Sequence, residues 1–265
     1  MRPILFSIGS FQIPAYGAAL MVAFLFAIFW TAWKAPTRGT TADHLYNLGF
    51  IAVGGGIIGG RLEYVRTHWH DKFAHDLGRI LEIWDGGLVF YGGFVLGLAG
   101  SVLWSHWRKQ SVLGVFELTG ISIPIAIGIT RLGCFGAGCC YGEIADVSWA
   151  VSYPPESELA PGDIPLHPTP LYETAYTWTI ALVVWLYSKS PLWKREGEGL
   201  FLFVVLYAIA RSINETFRAD AERGYMIEGV LTNGQGTSLI LVVLAVVAWQ
   251  WVRRQPPRVS EPTGG

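Results

Sequence analysis

The stretch TRLGCFGAGCCYG, residues 130–142, gathers all three cysteines of the chain behind one arginine, Arg131, at the end of a long apolar run. Four chemistries compete for such a cluster. A zinc site needs about four ligands, usually as paired Cys or Cys/His sets; here the spacing is C-x4-C-C with no second pair, and His68, His70 and His75 lie far away in the sequence. A redox pair is open to thiols that face an oxidising compartment. A catalytic thiolate needs a base or cation beside it, and Arg131 precedes Cys134 by three residues, one helical turn. The fourth reading is packing. With Gly at 133, 136, 138 and 142, the thiols sit among small residues, and a buried free Cys behaves as a small hydrophobe. The sequence favours packing, which moves attention from the cysteines to the arginine.

Arg131 has counterparts. Arg61 and Arg211 also close long apolar runs. On the second of these runs Tyr207, Arg211, Glu215 and Arg218 follow at spacings of four, four and three, which places them on one helical stripe. The runs that start at the corresponding level open with Tyr16, with Trp84-Asp85-Gly86-Gly87 leading to Tyr91, and with His167 to Glu173. Ionisable groups at membrane depth are costly and usually functional. A guanidinium is always charged and can bind two phosphate oxygens at once. Three of them at one level point to an anionic lipid headgroup. Taken singly, each could instead snorkel to the interface and pair with Asp or Glu.

The elements that must position these residues are transmembrane helices. The chain is 52% hydrophobic and 15% charged, with a mean hydropathy of +0.39, where soluble domains carry about 25% charged residues. Twelve Trp and eleven Tyr suit a chain that crosses two lipid–water interfaces. The formal net charge of −1 gives no reason to expect nucleic acid. About 20 apolar residues span a bilayer, and seven stretches qualify: 14–33, 45–65, 87–107, 114–133, 168–187, 199–216 and 235–252. Lys and Arg gather after the first, third and fifth of these and in the tail, while the segment 143–166 has acids and neither Lys nor Arg. The positive-inside rule therefore predicts an external N-terminus, a cytoplasmic C-terminus and the arginine level toward the outer leaflet. The expected fold is an all-α membrane protein, one seven-transmembrane-helix bundle over residues 1–265, with a small periplasmic head at about 140–166 and a loose tail at about 254–265. The glycine-rich faces of the second and third spans would admit close helix contacts, or leave grooves for acyl chains. The inner half of the bundle reads as almost bare of charge, with Glu117 the main exception.

Six segments in order, IPAYG, GGGIIGGRLEY, IWDGGLVFYGG, GITRLGCFGAGCCYG, LHPTPLYE and GLFLFVVLYAIARSINETFR, give the chain its resemblance. It resembles the bacterial prolipoprotein diacylglyceryl transferases nearly end to end. The resemblance implies transfer of the sn-1,2-diacylglyceryl group of phosphatidylglycerol to the lipobox cysteine thiol of a preprolipoprotein. A thioether forms and glycerol 1-phosphate leaves, in the bacterial cytoplasmic (inner) membrane, with no metal and no organic cofactor. It implies catalytic roles for Arg131, Arg211 and Glu215, and substrate binding by Tyr16, Arg61, Tyr64, Asp85, Gly142, Glu173, Tyr207 and Arg218. Many members have His-Gly-Gly where this chain has Tyr91-Gly92-Gly93, and that histidine has been considered as the base, so Tyr91 joins the catalytic set. The family signature commonly has Asn at the position of Cys134 and Glu at that of Cys139, so the family chemistry does not require these thiols.

These departures leave a second reading, a non-catalytic or altered-specificity paralogue that binds anionic lipid or a lipoprotein precursor. A seven-helix transporter would place its polar groups at mid-membrane and match its two halves; here the charges lie toward one face and no half-repeat is visible.

Overall fold

The computed structural model describes residues 3–8, 11–74, 76–154, 159–219, 225–227 and 231–254. A short hairpin, β1 (Ile4–Ile8) and β2 (Phe11–Pro14), leads into α1 (Ala15–Lys34), α2 (Ala42–Thr67), α3 (Phe90–Trp107) and α4 (Val112–Ala137). Then follow α5 (Thr169–Lys189), α6 (Glu198–Glu215), a second hairpin of β3 (Tyr225–Ile227) and β4 (Leu231–Thr232), and α7 (Asn233–Arg254). Each of the seven apolar stretches is thus a helix in a multi-pass membrane protein. The expected loose tail lies outside the described residues apart from Arg254, which ends α7.

Local signals set the helix ends. Thr41 accepts the His44 amide through its hydroxyl and caps α2, a standard use of Thr. Gly39, at φ +63°, closes the turn after α1, where a left-handed residue ends a helix cheaply. Four segments, Ala15–Arg38, Ala42–Thr67, Val112–Ala137 and Asn233–Arg254, are long and apolar enough to cross a membrane. Two of the remaining helices are diluted by polar residues that the fold turns inward, Thr169, Glu173, Thr174 and Thr177 of α5 and Glu198, Asn214 and Glu215 of α6, all buried, and α3 by its glycines. Outward faces are apolar instead: Phe50 is 78% exposed and Leu103 69%, the pattern of a surface whose solvent is lipid.

The chain forms two compact units, Ile28–Val115 on one hand and Met1–Ala27 with Phe116–Gly265 on the other. In the first, α2 and α3 meet backbone to backbone. A Cβ on Gly59 would lie 2.3 Å from the Gly92 carbonyl oxygen, and one on Gly55 2.8 Å from the Gly97 Cα. The glycines therefore serve close packing, as small residues do in lipid. No groove for an acyl chain remains where Gly55, Gly59, Gly92 and Gly93 meet, because each helix fills the other's surface there. Ala32, Ala35, Leu45, Leu48 and Val115 make this unit's buried cluster.

In the second unit α4 rests on α1 through Gly133, whose Cβ would fall 2.4 Å from that of Ala19. At the opposite end of α4 lies a polar layer that hydropathy alone does not reveal. Buried Glu117 accepts the amides of Gly197 and Gly199 at 3.0 and 2.9 Å, anchoring the start of α6. Buried Glu198 accepts the Arg253 guanidinium at 2.9 and 3.1 Å and the Tyr187 hydroxyl. The half of the bundle expected to be inner is consequently not bare of charge: Glu198 and Arg253 pair α6 with α7, and hydrogen bonds from the Tyr187 hydroxyl and to Glu117 join α5 and α4 to that layer. Between α4 and α5 the chain makes a small head held by isolated bridges, Ile144 and Val151 to Leu166 and Tyr153 to Gly162. Tyr153, Ala160 and Leu166 are its core, with Tyr141 packed against them.

Candidate functional site

At the other end of the second unit the last turns of α4 and α6 meet the first turns of α1 and α5. Arg131 Nε lies 3.0 Å from Glu173 Oε2, and that carboxylate is fully buried. The Tyr207 hydroxyl donates to Glu173 Oε1 at 2.9 Å. Glu173 therefore holds a cation from α4 and a phenol from α6 on its two oxygens. Arg131 Nη1 faces sulfur, at 3.5 Å from Cys140 Sγ and 3.9 Å from Cys134 Sγ. Among the described residues its Nη2 makes no hydrogen bond, and the side chain keeps 22% of its surface exposed.

Arg211 sits one turn beyond Tyr207 and pairs with Glu215 along the helix. Its charge and that of Arg131 both act on the Tyr207 and Tyr176 phenols, so the two guanidiniums share one neighbourhood. Arg218 lies just past α6: its amide donates to the Glu215 carbonyl at 3.2 Å, its backbone bridges Gly142, and its side chain reaches Cys140. Tyr16 opens α1 close to Arg131 and the thiols. Three arginines and two glutamates thus stand together, a formal excess of one positive charge on groups held by ion pairs and by the fold. Such an excess beside a partly exposed fork suits a phosphate.

Gly142 has a steric duty. A Cβ there would lie 2.4 Å from the Phe217 carbonyl oxygen and 2.6 Å from the His167 Cβ. The Gly142 amide donates to the His167 carbonyl and the Glu143 amide to that of Phe217, both at 2.9 Å. Only glycine lets the head's first residues pass between the ends of α5 and α6.

Arg61 and Tyr64 belong to the first unit and have partners of their own. The Arg61 guanidinium donates to four backbone carbonyls: Ile80 at 2.9 Å, Arg79 at 2.6 Å, Gly86 at 2.7 Å and Gly87 at 3.4 Å. Gly86 and Gly87 have φ of +79° and +78°, a backbone open to glycine, and this turns their carbonyls onto the arginine. Tyr64 accepts Lys72 Nζ at 2.7 Å, and its ring fills the place a side chain at Gly87 would take. Asp85 is the last residue of the short turn Ile83–Asp85 that leads to Gly86, and its side chain lies outside the described residues. Tyr91 opens α3 with its side chain 67% exposed.

Sequence reasoning missed several members of the site. Tyr176 follows Glu173 by three residues, so it shares that residue's face of α5, and its buried hydroxyl makes no hydrogen bond among the described residues. Thr169 donates to the Cys140 carbonyl at 2.6 Å, and Asn214 to the Thr169 carbonyl at 3.4 Å. The Cys134 and Cys139 thiols hold the Cys140 thiol below the ordinary thiol range, with the Arg218 and Arg131 cations acting in the same direction.

Comparison with known proteins gives one consistent result. A family model described as prolipoprotein diacylglyceryl transferase matches residues 3–251. A phosphatidylglycerol–prolipoprotein diacylglyceryl transferase of Clostridium tetani is 31% identical, covering 93% of this chain and 96% of its own length. One from Pseudoalteromonas atlantica is 33% identical over 96% of this chain and 90% of its own, and one from Legionella pneumophila strain Lens 30% over 96% and 98%.

Proposed function

The chain belongs to the prolipoprotein diacylglyceryl transferase family, and from that premise we propose that Arg131 and Arg211 form the phosphate clamp of its reaction. The enzyme transfers the diacylglyceryl group of phosphatidylglycerol to the cysteine of a prolipoprotein. The substrate sulfur attacks the C3 carbon of the diacylglyceryl group, a carbon–sulfur bond forms, and the carbon–oxygen bond to phosphate breaks. Glycerol 1-phosphate carries the displaced electron pair away. Charge grows on the leaving phosphate, and donors fixed in place before the reaction stabilise it most effectively.

The observation that carries this reading is Glu173 gripping Arg131 and Tyr207 at once, with Arg211 acting on the same phenol. The carboxylate orients Arg131, and Nη2 is the edge offered to a phosphate oxygen. Tyr207 and Tyr16 stand beside Arg131, Arg218 and Gly142 border the same group through their backbone bridge, and Glu215 both steadies Arg211 and receives the thiol proton. Arg61, with Tyr64 beside it, acts within its own unit by holding the loop 79–87 through four backbone carbonyls. Tyr91, at the position of the family's histidine, orients the acceptor.

All seven helices cross the bacterial cytoplasmic membrane in this account, with the N-terminus and the head outside and α7 ending in the cytoplasm. The Lys and Arg distribution supports this orientation, and it puts the clamp at the outer leaflet, where a lipobox segment emerges. The test is growth of a strain depleted of its own diacylglyceryl transferase, together with lipidation of a lipobox peptide by the purified protein. Growth and thioether formation support the reading. A well-expressed protein that gives neither would return it to a lipid- or precursor-binding role.

A further inference from the structure

We propose that Cys134, Cys139 and Cys140 form a three-thiolate site for a soft monovalent ion of the Cu(I) class. Their three Sγ atoms all lie within 4.8 Å of one another. An ion about 2.3 Å from each thiolate at the centre of a triangle needs sulfurs about 4 Å apart, so adjustment of less than about 1 Å closes the site. The convergence is built by the backbone. Gly138 has φ +77° and Cys140 φ +63°, a left-handed conformation uncommon for a residue with a side chain. This turn brings Cys140 back over the end of α4. The Cys139 amide donates to the Cys134 carbonyl at 3.0 Å, and Thr169 holds the Cys140 carbonyl at 2.6 Å.

The ligand set selects the ion. Among the described residues no His, Asp, Glu or fourth Cys joins the group, whereas a structural zinc site is closed by four. Three thiolates alone are a soft, low-coordinate set, which favours Cu(I). Charge agrees with this choice. Three thiolates around a monovalent ion carry two negative charges, and two guanidiniums, Arg131 at 3.5 Å from Cys140 Sγ and Arg218, lie beside them. On binding, three S–H bonds are replaced by three metal–sulfur bonds and three protons leave to solvent, so binding tightens as pH rises.

This inference does not rest on the transferase reading, and its test reads the metal directly. The full-length protein, reduced and in detergent, is titrated with Cu(I) under anaerobic conditions against a competing chelator, and the bound ion is examined by X-ray absorption. One Cu(I) per chain with three sulfur neighbours is expected. Cys134→Ser, Cys139→Ser and Cys140→Ser should each weaken binding by about 100-fold or more, since even the loss of an outer-shell partner costs 10- to 100-fold. The triple Cys→Ala variant should bind no Cu(I) while still unfolding in one cooperative thermal transition in detergent, which shows that the loss of metal is not a loss of fold. No retained copper, fewer than three sulfurs, tighter binding of Zn(II), or unchanged affinity in the serine variants would each overturn the site.

Discussion

Removing Arg131 should separate stability from catalysis in a way a merely structural ion pair would not. Arg131→Met leaves the Glu173 carboxylate, fully buried and bound at 3.0 Å in the native protein, without its cation. Breaking one side of a buried pair costs about 3–5 kcal/mol. At roughly 2–4 °C per kcal/mol for chains near this size, that is a melting temperature lower by roughly 10 °C. Adding Glu173→Gln removes the orphaned charge and keeps an oxygen for the Tyr207 hydroxyl, now 2.9 Å from Glu173 Oε1. The double variant should recover most of the lost stability. Activity should not recover, because the phosphate still lacks its donor, a loss of about 100- to 1000-fold, or about 2.7–4 kcal/mol. Thermal unfolding in detergent and lipidation of a lipobox peptide with phosphatidylglycerol read the two effects separately. If the double variant regained near-normal turnover, or Arg131→Met alone kept it, Arg131 would be an anchor for α5 and not a phosphate ligand.

Four further outcomes follow from the same geometry. Gly142→Ala would place a Cβ 2.4 Å from the Phe217 carbonyl oxygen, so it should lower stability by about 1–3 kcal/mol and depress lipidation; a variant as stable and active as the parent would remove the steric duty assigned to Gly142. Tyr91→Phe should keep lipidation within about tenfold if the phenol only orients the acceptor, whereas loss of a general base costs about 100- to 10,000-fold. Glu198→Gln should weaken the Arg253 and Tyr187 network and lower the melting temperature while leaving turnover of the folded protein unchanged, since that layer lies at the opposite end of the helices; a matching fall in turnover would contradict the separation. Burial pushes the Tyr153 phenol up to about 12, above the value of about 10 it has when unfolded. Stability from this group is therefore present below about pH 10 and lost as pH rises toward 12, and Tyr153→Phe, which also deletes a hydroxyl without a hydrogen bond among the described residues, should flatten that decline in a pH series of melting temperatures.

What could be read from sequence was whatever depends on runs and local spacing. Seven apolar runs gave seven helices, and the stripe Tyr207, Arg211, Glu215 is a consequence of helical period alone, whereas Arg218, expected on the same stripe, lies past the end of α6 and bridges Gly142. The β1–β2 hairpin was not read from the sequence, because so short an element is easily absorbed into the helix that follows. Pairings between distant segments were not legible. Arg131 and Glu173 were both singled out, but 42 residues separate them, and only the packing of α4 on α5 makes them an ion pair. Arg61 illustrates the opposite failure. Its charge looked like a ligand for phosphate, whereas its four acceptors are carbonyls 18 to 26 residues away, exposed to it by two glycines at positive φ. Composition does not encode where a carbonyl points. The convergence of the three thiols likewise depends on the left-handed turn at Cys140, which no propensity would assign to cysteine.

The central claim is that Arg131 and Arg211 act together on one leaving phosphate, and a double-mutant cycle on the lipidation rate tests it most directly. Arg131→Ala and Arg211→Ala should each cost about 100- to 1000-fold, and the double variant should fall well short of the product of the two losses, as residues acting as a unit do. Either single variant retaining a rate within about tenfold of the parent, or two losses that multiply in full, would contradict the clamp.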